Sequence, residues 1–431
     1  MYLKLIEKSY IKINPNHCSL IFYKNGFRSS FPINDSAYEI LRLCDGSHSF
    51  KEIVKQLKSV YDEELETIQE NVLEFLNPMI EGGFIEKISS KTCFKTVKGS
   101  KEIYYPNSLC WEITDYCPLK CRHCYLPSKN NTYVSREDID YVLKIIDTYG
   151  IHTIQLTGGE ALTHPYFDYI VDELIKRGLV VSISTSGVYF NDKLLTILEK
   201  IKQVKGSVVK VSLDGNKDTH TFIRNNSESY KKTLQFLNEL SQRNIPFQIG
   251  SVIINQSKKE IEKLVDIAKK LGAELIEISL LVDQGNAKAQ HLESNLTPNE
   301  LSKLLKILKD KYEDKNFVVK TPDTKEQPNH QNNCGAGYMI LRFKENMDVT
   351  PCPIIEFRLG NLLEQSFEKI MQEYAHKFSK FHSPCEQFCK TCEKKDYCAG
   401  CTACGITSKE KVQQCNWYEN QKKTFFPEKI T

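Results

Sequence analysis

The stretch LCWEITDYCPLKCRHCY, residues 109–125, joins a strand-like run to three closely spaced thiols. Five of its first six residues are apolar or β-prone, Glu112 being the exception, and the run reads as a strand. Cys117, Cys121 and Cys124 follow on the loop at that strand's C-terminal end. With three and two residues between them, these thiolates can wrap one corner of a cubane. A 4Fe–4S cluster takes four ligands, so three from the protein leave one iron open. A structural zinc site normally closes with a fourth Cys or His. His123 is the nearest such residue, but it lies between two of the cysteines and is poorly placed to face the same metal. Cys110, near the strand start, reads as core.

Working outward, residues 107–315 alternate between strand-like runs and helical windows. The runs are LCWEIT, TIQLTG, VVSISTS, VVKVSLDG, FQIGSVII and ELIEISLL. The windows lie near 135–149, 167–177, 191–203, 229–243, 257–271 and 298–313. Six βα units imply an α/β fold with a parallel sheet and right-handed crossovers, open or curled toward a barrel. Function in such folds sits at the C-terminal strand ends. There the chain places Thr157-Gly158-Gly159-Glu160, Ser184-Thr185-Ser186-Gly187 and Asp214, with Arg224 shortly after.

Residues 1–88 read as a separate small unit. Lys24-Asn25-Gly26 between apolar runs is a hairpin signal. Three helical patterns follow, with Asn34, Asp35 or Ser36 and then Ser49 as cap candidates, and FIEKI as a closing strand. This order resembles a winged helix-turn-helix. Its helices carry no basic stripe, which argues against nucleic acid. Residues 89–106 are polar and read as a linker. Residues 316–431 form a cysteine-rich tail.

The 431 residues include 16 cysteines, four of them in 110–124 and nine in 334–415. A formal net charge of +3 excludes a strongly basic nucleic-acid binder. No apolar run is long enough to span a membrane. The first residues lack the apolar core of a secretory signal. The expectation is a cytoplasmic chain whose clustered thiols bind iron–sulfur centres or metal.

CxxxCxxC followed by Tyr125, together with Thr157-Gly158-Gly159-Glu160 at the end of the next strand, is similar to the signature of the radical S-adenosylmethionine superfamily. The resemblance implies a partial (β/α)6 TIM-like barrel. In that family the amino and carboxylate groups of S-adenosylmethionine chelate the open iron. Gly158 and Gly159 would let backbone approach its methionyl part, and Glu160 would meet its amino group. Ser184 and Ser186 would bond ribose or carboxylate oxygens. Asp214 matches the family's SxDG pattern, and Arg224 an arginine aimed at the carboxylate. After the sixth strand relatives often show Gly-Arg-Gly or Gly-Arg-Ala, whereas this chain has Gly285-Asn286-Ala287.

The tail resembles the SPASM auxiliary iron–sulfur domain. By that resemblance Cys334, Cys352 and Cys401 would hold an inner cluster, and Cys389, Cys392, Cys398 and Cys415 an outer one. Seven ligands for two cubanes leave one open iron, where a substrate thiolate could bind. Cys385 and Cys404 are spare. Met347 stands where the family usually has glycine. Two zinc sites are the structural alternative. The N-terminal unit resembles the PqqD-like element that captures leader peptides as an added strand.

Together the parts resemble thioether-forming maturases of the subtilosin type. The resemblance implies three 4Fe–4S clusters, S-adenosylmethionine, a precursor peptide and an electron donor such as flavodoxin or ferredoxin. The expected chemistry is a sulfur-to-carbon crosslink in the peptide. Epimerisation, carbon–carbon crosslinking and cofactor maturation are the alternatives, with a zinc-stapled peptide-binding protein as the non-enzyme rival. Sulfatase maturases carry an Asp after the second SPASM cysteine, where this chain has Pro353.

Overall fold

The computed structural model describes residues 1–126, 130–320, 333–398 and 400–425. The N-terminal unit contains β1 (Tyr2–Leu5), β2 (Tyr10–Asn14), β3 (His17–Lys24), β4 (Phe27–Pro32), α1 (Asp35–Leu41), β5 (Asp45–Ser49), α2 (Phe50–Lys58), α3 (Leu65–Glu81) and β6 (Ile85–Ile88). The hairpin turn falls at Asn25 and Gly26, whose φ values of 52° and 80° are the left-handed pair that a tight turn demands. Asn34 caps α1, and Ser49 forms a capping box with Glu52 on α2. The sheets are richer than expected. β5-β1-β6 form one, and β4-β3-β2 form another together with β7 (Val97–Gly99). Part of the supposed linker is thus a strand, parallel to β2 with Ile11 opposite Val97.

The six expected βα strands are β8 (Ser108–Thr114), β9 (Thr153–Gly158), β10 (Val180–Thr185), β11 (Val208–Ser212), β12 (Phe247–Ile253) and β13 (Leu275–Leu280). They pair in parallel in sequence order. The helices between are α4 (Arg136–Tyr149), α5 (Phe167–Lys176), α6 (Asp192–Glu199), α7 (Lys217–Arg224), α8 (Ser229–Gln242) and α9 (Lys258–Lys270), followed by α10 (Gly285–Ala289) and α11 (Pro298–Tyr312). α7 and α10 escape sequence reading because each is only a turn or two long.

The sheet stays open. β14 (Val318–Lys320) extends it beyond β13, and β15 (Ile340–Phe343) pairs in parallel with β8. β16 (Asp348–Thr350) and β17 (Gly360–Asn361) follow as an antiparallel extension. The cysteine-rich region therefore begins inside the barrel sheet. Beyond it lie α12 (Phe367–Ser379), three short helices α13 (Glu386–Cys389), α14 (Lys395–Cys398) and α15 (Thr402–Ser408), and α16 (Asn416–Phe425).

The main core, including Trp111, Phe167, Phe236 and Phe247, fills the space between sheet and helices. A second core lies in the N-terminal unit around Leu5, Ile11 and Ile53. The two units are stitched together by hydrogen bonds. Lys205 N donates to Gly26 O at 2.8 Å, and Arg28 Nη2 to Arg177 O at 2.8 Å. Lys12 Nζ is buried and donates to Pro106 O and Tyr149 O at the C-terminal end of α4.

Candidate functional site

At the C-terminal end of the sheet, Cys117, Cys121 and Cys124 line one cavity of about 400 Å³. Gly158, Gly159, Ser184, Ser186 and Arg224 line the same cavity, as do Cys110 and His123. The cysteine loop is held from two sides. Gly159 N donates to Thr114 O at 2.7 Å and Glu160 N to Tyr116 O at 2.7 Å. A Cβ on Gly158 or Gly159 would lie 2.0 Å from one of those same carbonyl oxygens, so only glycine permits the approach. Asn286 N donates to Cys124 O at 2.8 Å and Asn286 Nδ2 to Cys121 O at 3.0 Å. The segment that departs from the family's arginine pattern thus holds the thiol loop.

Glu160 lies just behind the wall. Its Oε2 accepts from Ser186 N at 3.0 Å and Ser186 Oγ at 2.6 Å. Its Oε1 is buried with no hydrogen-bond partner among the described residues. Burial pushes this carboxyl up, against the hydrogen bonds from Ser186. A buried acceptor without a partner beside a three-thiol cavity can accept a further hydrogen bond, and Arg224 brings a cation to the cavity wall.

Arg224 Nη1 lies 3.9 Å from Cys121 Sγ. Asp214, fully buried and off the cavity wall, pairs with Arg224 at 2.7 Å and accepts from Val252 N at 3.2 Å. Burial disfavours the Asp214 carboxylate, but Arg224, His123, His220 and the Val252 N–H together outweigh it and the pKa is lowered. Asp214 thus holds Arg224 in place at the cavity wall. Burial lowers His123 to about 4, and its Nδ1 has no partner among the described residues.

The tail thiols fall into two neighbourhoods. Cys389, Cys392, Cys398 and Cys415 line one small cavity with Trp417. Burial pushes Cys352 up to about 12, with the nearby Cys334 and Cys401 adding to the shift. Cys404 N donates to Cys401 Sγ at 3.5 Å, and Cys385 O accepts from Cys389 N at 3.0 Å. Met347 takes φ 68°, the left-handed conformation that explains why glycine is usual there. Among the described residues no three His, Cys, Asp or Glu side chains converge as ligands of a single ion. A cubane binds each thiolate at a different iron and does not require such convergence.

Sequence reading missed a buried link between the two regions. Tyr125 Oη donates to Glu112 Oε1 at 2.8 Å, and Arg342 Nη1 lies 3.7 Å from the same oxygen. Arg342 also donates to Pro353 O, beside Cys352. Pro353 and Ile354 in turn line the main cavity. The signal available in the sequence was Glu112, a charge inside an otherwise buried strand.

The Radical SAM superfamily matches residues 111–268, and the family of coenzyme PQQ synthesis protein D (PqqD) matches residues 27–85. The chain is 26% identical over 404 residues to the antilisterial bacteriocin subtilosin biosynthesis protein AlbA of Bacillus subtilis, covering 90% of this chain and 88% of that one. It is 26% identical over 326 residues to the AdoMet-dependent heme synthase of Methanosarcina barkeri, covering 69% of this chain and 91% of that one. In fold it is similar to Streptococcus suis SuiB bound to precursor peptide SuiA, with a TM-score of 0.68, 13% identity and 99% of each chain covered.

Proposed function

We propose, from the premise that this chain is a radical SAM superfamily enzyme with a PqqD-like domain, that it modifies a ribosomally made precursor peptide by joining a cysteine sulfur to a carbon. The observation that carries the reading is one chain in which a three-thiol cavity and a PqqD-like unit are bonded together. S-adenosylmethionine on a reduced 4Fe–4S cluster supplies a radical able to take a carbon-bound hydrogen.

Cys117, Cys121 and Cys124 would hold that cluster. Gly158, Gly159, Glu160, Ser184, Ser186 and Arg224 would hold S-adenosylmethionine, with Asp214 orienting Arg224. Cys334, Cys352 and Cys401 would hold an inner auxiliary cluster, and Cys389, Cys392, Cys398 and Cys415 an outer one. Residues 1–88 would serve recognition, 107–315 the radical chemistry and 316–431 the auxiliary clusters. The leader would add as a strand to β4, which among the described residues pairs only with β3. Phe31 on that edge is 49% exposed and stacks on Phe22. A flavodoxin or ferredoxin in a reducing cytoplasm would supply electrons.

The test is anoxic reaction with a short cysteine-bearing precursor encoded beside the gene. A thioether removes two hydrogens and one alkylatable thiol per bond. Loss of two hydrogens with every thiol still alkylated would reject it in favour of carbon–carbon chemistry, and unchanged mass would favour epimerisation. The likeness to a heme synthase favours a second reading, radical chemistry on a tetrapyrrole, which predicts product without any peptide.

A further inference from the structure

The cavity that holds the three thiols also holds a charged pair without an assigned role. Lys210 on β11 and Glu277 on β13 both line it, with Lys210 Nζ 3.0 Å from Glu277 Oε1. Between them runs β12, where Gly250 is level with Glu277 on one side and Ser212 on the other. Lys210 therefore lies one inward step below Ser212 and reaches across β12. A Cβ at Gly250 would sit 3.3 Å from Lys210 Cε, so a larger residue there would crowd the lysine. The two side chains keep 28% and 27% of their surface exposed.

A partly exposed ion pair adds little to stability. Within a ligand cavity, a few placed polar groups fix orientation. An ammonium carries three donors and a carboxylate about four acceptor sites, so this pair leaves both kinds over. An extended peptide offers the matching pattern, because the N–H and C=O of one residue point to the same side.

We propose that Lys210 and Glu277 grip one residue of the core peptide by its main chain, the carbonyl oxygen on Lys210 and the N–H on Glu277. In an extended chain the Cα–H of that residue points the opposite way. The grip thereby turns it toward the strand ends, where Cys117, Cys121, Cys124 and Gly159 lie. The gripped residue's side chain is left unread, so its identity is tolerated. This inference rests on the peptide-modifying reading and names how that substrate is held.

The probe is acetyl-alanyl-phenylalanyl-alanine amide, which carries main-chain amides and no charge. Its affinity for cluster-loaded, S-adenosylmethionine-bound protein is measured by ligand-observed NMR. K210M and E277Q should each weaken it about tenfold, as loss of a charge-assisted hydrogen bond does. The double variant K210M/E277L should keep the parent's melting temperature and lose the affinity, separating a grip from a structural ion pair. The proposal is overturned if the parent does not bind the probe, or if the variants bind it as the parent does. It is also overturned if they lose S-adenosylmethionine affinity by the same factor, which would assign the pair to the cofactor. A precursor left unmodified by the parent enzyme counts against the maturase reading alone, because probe binding needs no turnover.

Discussion

Arg224 stands beside Cys121 because a fully buried carboxylate, Asp214, holds it there. Removing one partner of a buried pair strands the other charge, at about 3–5 kcal/mol. Asp214→Ala should lower the unfolding free energy by about that much in urea titrations. The double change Asp214→Leu with Arg224→Met should recover most of it while leaving S-adenosylmethionine binding impaired. Replacing Cys117, Cys121 and Cys124 together by Ala should remove about one third of the bound iron, if each of three clusters is a cubane. All S-adenosylmethionine cleavage should go with it; persistent 5′-deoxyadenosine formation would sink the assignment. The three thiols were legible because their spacing is local. Asn286 was not, since its partners Cys121 and Cys124 lie more than 160 residues away. Glu112 was half legible: a buried charge announces that a partner exists, but not that it is Arg342.

β4 shows what an element can do that its residues cannot. Its inner edge is spent on β3, and its outer edge is unpaired among the described residues. Phe31→Asp should weaken leader-peptide binding about tenfold by calorimetry, since it removes an apolar anchor of the kind that gives such edges their specificity. Undiminished leader affinity would place recognition elsewhere. The β3–β4 hairpin and the six parallel strands were legible because turn chemistry and hydrophobic periodicity are local signals. β7 was not. Its three residues sit in a polar stretch and become a strand only because β2 offers an edge. β15 forms a local hairpin with β16, while its parallel pairing with β8 joins segments over 200 residues apart and leaves no local signal.

At the scale of the molecule, several titratable groups are buried in the uncharged form. Burial lowers His152 to about 3, and His164 and His220 to about 4. The unfolded chain takes up these protons near 6.5. The histidines' contribution to stability should therefore be full above that pH and fall as pH drops from 6.5 through 4, by at most about 1.4 kcal/mol per pH unit per group. Lys12, between the N-terminal unit and α4, is lowered by burial to about 7. Between 7 and its unfolded value the unfolded chain binds the extra proton, so stability should rise with pH across that window. Melting temperatures at pH 5, 7 and 9 test both signs, and Lys12→Met should flatten the alkaline rise; a rise unchanged in that variant would clear Lys12.

The pairing of β15 with β8 also sets a timetable. Synthesis proceeds from the N-terminus at about 5–20 residues per second. β8 emerges early, but the strand that covers its outer edge is made roughly 10–45 s later at that pace. Through that interval the nascent chain carries a bare edge beside Trp111, a surface for which chaperones and neighbouring chains compete.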